Sequence, residues 1–149
     1  MTSQTDTSSE TVAPISEPEA IEPRIRVVLV DARADRRAVM RQVFQHSGVD
    51  AGVVAEANGA ADAIVMVEQH HAHLAVVELP TPVADGVATI AELRQRFPDL
   101  AIVVISFNTD TAARQEATAA GADAYLVKPV NARDVVADMP GDPATVPAV

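Results

Sequence analysis

The sequence has no cysteine and no tryptophan, one lysine, and only four aromatic residues in 149. Without cysteine there is neither a disulfide framework nor a thiolate metal site, a pattern at home in a reducing compartment. The aromatics are Phe44, Phe97, Phe107 and Tyr125. They are too few to stack single-stranded bases, and they oblige any core to be aliphatic. Bases are scarce as well: 11 Lys and Arg stand against 21 Asp and Glu, a formal charge of −10. That balance excludes the basic face that direct nucleic-acid binding requires. No apolar run approaches the roughly 18 residues of a membrane span. The N-terminal stretch has no basic region followed by an apolar one, so it does not read as a secretory signal, and a cytoplasmic location is expected.

What is present is a chain with a normal hydrophobic share, 48%, enough for one core with tails. Residues 1–22 hold five acids, no base and eight Ser or Thr. Such a segment cannot bury enough apolar surface to offset its ordering entropy, so 1–24 is expected to be a disordered acidic tail. The last stretch, "MPGDPATVPAV", is punctuated by three prolines and reads as irregular from residue 140 onward.

Between the tails, over 25–139, two periodicities alternate. Short β-branched runs predict strands at 26–30, 51–57, 74–77, 101–106 and 124–127. Helical spacing predicts helices between them. The first carries Val39, Met40, Val43 and Phe44 with Gly48 as its stop, and others cover 59–71, 86–97 and 109–121. A short last helix over 131–139 is capped by Asn131 and spans about 13 Å at 1.5 Å per residue. Five apolar strands separated by helices imply right-handed crossovers and a parallel sheet covered on both faces. In such α/β sheets, chemistry collects at the carboxyl ends of the strands, where the strand order reverses. The polar residues there are Asp31, Glu78, Ser106 and Lys128: two carboxylates, a hydroxyl and the chain's sole ammonium.

Other features carry less. "HHAH" (70–73) brings three histidines together, but no convergent fourth ligand is visible and a solvated turn explains it. "GVVAEANGA" lacks the glycine spacing of a dinucleotide-binding loop. Asp35 is explained as an N-terminal helix cap. Arg36, Arg37 and Arg41 read as a solvated basic face.

The order "LVD", an acid at a strand end followed by "LPTPVADG", then "VVIS", then "GADAYLVKP" resembles the receiver domain of bacterial response regulators. The resemblance covers about residues 25–138. It implies a five-stranded, doubly wound, flavodoxin-like parallel sheet. In that family an Asp ending the third strand takes a phosphoryl group from a histidine kinase, and two acids after the first strand hold Mg²⁺. A Thr or Ser and a Lys contact the phosphoryl oxygens, and an aromatic on the fifth strand changes rotamer. By resemblance, Asp31 matches the first acid, Ser106 the hydroxyl, Lys128 the lysine and Tyr125 the aromatic switch. Pro82, Asp85 and Gly86 match the turn after the phosphoacceptor.

Three positions depart from the pattern. Glu78 stands at the phosphoacceptor, and its carboxylate reaches about 1.5 Å, one C–C bond, further than an aspartate's. In-line phosphoryl transfer tolerates little misplacement. Ala32 replaces the second acid, weakening a Mg²⁺ site that needs near-octahedral oxygen ligation. Phe107 follows Ser106, where a small residue would leave the donor a way in, and its ring is expected to exclude water and donor. Lys128, a compact ammonium that arginine could not replace at a crowded sheet edge, is expected to pair with Glu78 and Asp31.

The sequence therefore predicts a phosphorylation-independent pseudo-receiver, not an enzyme, with no cofactor and no metal. It would act on a protein partner (a sensor kinase or downstream regulator, or a second copy) in a two-component pathway, with Glu78 imitating the phosphorylated state. The partner face is expected around Phe107, Tyr125 and Ala120 on the fourth helix. The alternative is a conventional stand-alone receiver that still responds to phosphorelay or Mg²⁺. A cofactor carrier on the same fold would need a flavin phosphate loop or a "DxHxxG" run, and neither is present.

Overall fold

A computed structural model describes residues 22–80 and 83–141. The expected tails at 1–21 and 142–149, and Pro82 of the expected turn, lie outside the described residues. The elements follow in strict alternation: β1 (Ile25–Val30), α1 (Ala34–Gln45), β2 (Ala51–Ala57), α2 (Ala60–His70), β3 (Leu74–Glu78), α3 (Val83–Arg96), β4 (Ala101–Ser106), α4 (Thr111–Ala120), β5 (Ala124–Val127) and α5 (Ala132–Ala137). The five strands form one sheet in the order β2-β1-β3-β4-β5, and every pairing is parallel. This is a doubly wound, flavodoxin-like fold, as the resemblance implied.

Alternation along the strands sends side chains to two separate cores. Val28, Val30, Val77 and Val104 pack with Ile90 and Leu93 of α3 and Ala117 of α4. Val27, Leu29, Val76, Val103 and Ile105 pack with Met40 and Phe44 of α1 and Val135 of α5. The central strands β1, β3 and β4 are buried along their whole length, which is why they read as unbroken apolar runs.

Two helices differ from their expected extents, and a third in its cap. α3 begins at Val83, so Asp85 and Gly86 lie in a helix and not in a turn. Gly86 serves close packing there: a Cβ at its position would sit 2.7 Å from the side chains of Leu79 and Pro80. α5 is six residues, about 9 Å, rather than nine; its Asn131 cap is present, with the side chain accepting from the Asp134 N–H. The N-cap of α1 is Arg33 and makes no side-chain cap bond. Asp35 is not the cap; it sits in the first turn and takes both Arg33 hydrogen bonds, which hold its carboxyl at about 2.

The histidine cluster has a structural task. Arg26 is buried, and its guanidinium donates to the carbonyls of His70 and His71 at the end of α2. The Arg26 backbone N–H donates to His73 Nδ1 at 2.9 Å. These groups thus clamp α2 to β1, where the sequence suggested a solvated turn. Burial, and secondarily the Arg26 charge, push the His73 imidazole below its ordinary value.

Candidate functional site

The sheet order reverses between β1 and β3, so the carboxyl ends of these strands open a crevice. Asp31 follows β1 at its lip, Glu78 is the last residue of β3, Ser106 the last of β4, and Lys128 follows β5. All four predicted residues reach one edge, but they do not share one set of contacts.

Glu78 is the centre. Its side chain is 5% exposed and that of Lys128 13%, and Glu78 Oε1 touches the Lys128 ammonium. On the other side, Arg36 Nη1 lies 3.6 Å from Glu78 Oε2, an ion pair too long for a hydrogen bond. Burial pushes the Glu78 carboxyl above its ordinary value, and Lys128 pulls it back. Asp31 was expected to share Lys128; instead its Oδ1 accepts the Arg33 N–H at 2.9 Å, turning the chain into α1. Among the described residues, the Lys128 ammonium makes no ion pair with Asp31.

Ser106, 2% exposed, uses its Oγ to accept the Asn108 N–H at 3.0 Å. The carbonyl of the same Asn108 accepts the Tyr125 hydroxyl at 2.7 Å. The end of β4 and the aromatic on β5 are thus tied to one loop residue. The Tyr125 ring is buried, 6% exposed, with the Arg114 guanidinium 4.8 Å above it. A partner on this face would meet Arg114 and the exposed Ala119, not the tyrosine; Ala120 is half-buried against the core. Phe107 is 74% exposed and lies 5.0 Å from the Lys128 ammonium. It walls the crevice without sealing it, because the space beside it stays open.

Sequence reasoning missed Arg36. Arg37 and Arg41 were also misjudged, since both pair with Glu56 on β2. A signal for Arg36 was available: it precedes the buried Met40 by one helical turn, which places it on the inward stripe of α1.

Residues 27–139 match the response regulator receiver domain family. The chain belongs to that family. The PrrA transcriptional regulatory protein of Mycobacterium tuberculosis is 32% identical over 112 residues, covering 75% of this chain and 47% of PrrA. CitT of Bacillus subtilis, another transcriptional regulatory protein, is 35% identical over 80 residues, 54% of this chain and 35% of CitT. The receiver thus spans less than half the length of these regulators. The chemotaxis protein CheY of Bacillus subtilis is 28% identical over 111 residues, 74% of this chain and 91% of CheY. Among solved structures, the signal receiver domain of the NarL response regulator of Mycobacterium tuberculosis superposes with a TM-score of 0.65. It is 26% identical and covers 76% of this chain and 90% of that one.

The receiver's residues do not fit Mg²⁺. Among the described residues, no three His, Cys, Asp or Glu side chains are grouped to hold a metal ion. Ala32 offers no ligand, and the Glu78 carboxylate is already engaged by two cations.

Proposed function

We propose that this receiver signals without taking up a phosphoryl group. Glu78 serves as a standing negative charge where an acyl phosphate would otherwise form, and the domain acts by binding another protein. The observation that carries the reading is the Glu78 carboxylate, almost buried and held between Lys128 and Arg36. A nucleophile needs a free oxygen aligned with the donor and a cation to neutralise the incoming phosphoryl group. Here both carboxylate oxygens face side-chain cations, and Arg36 supplies from within the chain the second positive charge beside Lys128. The Tyr125 hydroxyl bound to Asn108 keeps the aromatic inward, which fits a domain fixed in one signalling state.

The partner is a protein of a two-component pathway, a sensor kinase or a downstream regulator, or a second copy of the chain. The net charge of −10 speaks against direct contact with nucleic acid.

The test is incubation with acetyl phosphate and Mg²⁺ followed by intact-mass measurement. The mass stays unchanged; a stoichiometric gain of one phosphoryl group would favour a conventional receiver and sink this reading. Glu78→Asp with Ala32→Asp is expected to restore uptake, and adding Phe107→Ala to speed it.

A further inference from the structure

We propose that the apolar pocket between α1 and the carboxyl ends of β3, β4 and β5 binds an aliphatic carboxylate, with Arg36 receiving its head group. The pocket has a volume of about 400 Å³, within the range of small-molecule sites, roughly 300–1,000 Å³. Its floor and walls are aliphatic, formed by Met40, Val43, Val76, Ile105 and Val130.

Two further observations point to an occupant. Phe107 at 74% and Val39 at 64% are the most exposed large apolar side chains among the described residues, and both line this one pocket. Apolar surface left open around a concavity marks a binding site more often than scattered exposure does. The polar end is equally specific. Arg36 lines both this pocket and the crevice around Glu78, and its guanidinium makes only the 3.6 Å charge contact. Among the described residues its donors take no hydrogen bond, whereas the neighbouring Arg37 and Lys128 are both engaged with carboxylates. Arg36 is therefore the cation of this pocket that, among the described residues, has no hydrogen-bonded acid, and it favours an anionic head group. A planar carboxylate matches the guanidinium fork. The proposal is independent of whether Glu78 accepts a phosphoryl group.

The experiment is isothermal titration of the full chain with hexanoate, octanoate and decanoate, and with decyltrimethylammonium, all below micelle formation. Decanoate binds saturably at one site, and each added methylene tightens binding about fourfold while the pocket fills. The cationic analogue binds at least tenfold more weakly. Arg36→Gln weakens decanoate about tenfold, the worth of one charge-assisted hydrogen bond. Val39→Asp, a change at an exposed position whose fold is checked by circular dichroism, abolishes binding. No saturable decanoate binding, equal binding of the cation, or an unchanged affinity in Val39→Asp overturns the proposal. The first outcome would leave the pocket to a protein segment.

Discussion

Removing the Lys128 ammonium leaves the Glu78 carboxylate with Arg36 alone, and that pair is 3.6 Å apart. A nearly buried carboxylate deprived of its closest counter-ion costs stability, so Lys128→Met is expected to lose about 1–3 kcal/mol at neutral pH. The pH dependence has a definite sign. Burial raises Glu78 above its ordinary value near 4.5, so folding takes up a proton on this group. Its contribution to stability is fully present below pH 4.5 and is lost as pH rises through the folded value. Loss of Lys128 raises that value further. The gap between variant and wild type therefore closes on acidification toward pH 4.5, and denaturant midpoints across pH 4.5–7.5 measure it; equal midpoints at pH 7 would show that the pair has no energetic weight. Glu78 and Lys128 were legible as a pair because both end strands of a parallel sheet, where the topology fixes the meeting place. Arg36 was not, because a long side chain on a helix reaches the site only through tertiary packing. The burial of Tyr125 was hidden for a similar reason: which face of a four-residue edge strand turns inward depends on the helix laid over it, here α4 with Arg114.

Among the elements, the strands were legible almost to the residue, since continuous Val and Ile runs admit few alternatives once glycine and charge bound them. The start of α3 was not. A proline, an aspartate and a glycine in succession speak for a turn, yet the glycine is there because α3 crosses close to Leu79 and Pro80. Gly86→Ala would bring a methyl to 2.7 Å from both side chains, and the strain exceeds the helix-propensity gain of alanine. The expected loss is about 1–3 kcal/mol in urea unfolding, with no change in helix content. A gain in stability, as propensity alone predicts, would mean that Leu79 yields freely. The clamp joining α2 to β1 gives a second test. His73 must stay neutral to accept the Arg26 N–H, and its folded value lies below the ordinary 6.5. The unfolded chain therefore takes up the proton first as pH falls, so the stability from this group is present above pH 6.5 and lost below it. His73→Ala is expected to be less stable than wild type at pH 7.5, with the difference narrowing toward pH 5.5. A difference constant across that range would assign the clamp to packing rather than to the neutral imidazole.

At the scale of the whole molecule, the question is whether the fold reports on the occupancy of the crevice around Glu78. A receiver that binds a phosphoryl mimic only when folded gains stability by mass action, about 2.7 kcal/mol at a ligand concentration a hundred times its dissociation constant. Beryllofluoride with Mg²⁺ is such a mimic, and it needs the same free aspartate oxygen and metal site as phosphoryl transfer. In this chain Glu78 is bound between Lys128 and Arg36, and Ala32 contributes no ligand. The unfolding midpoint and the sedimentation coefficient of the wild-type chain are therefore expected to be the same with and without beryllofluoride and Mg²⁺. The variant carrying Glu78→Asp and Ala32→Asp recovers the acids, and its midpoint should rise on addition. That contrast separates a domain locked by its own side chains from one that merely lacks a kinase. A rise of the wild-type midpoint, dependent on Mg²⁺, would show that Glu78 releases its two cations to make room. It would return the chain to the conventional, phosphorylation-responsive receivers. If neither protein responds, the two acids are insufficient and Arg36 itself blocks the metal position, which Arg36→Gln in the double variant would then relieve.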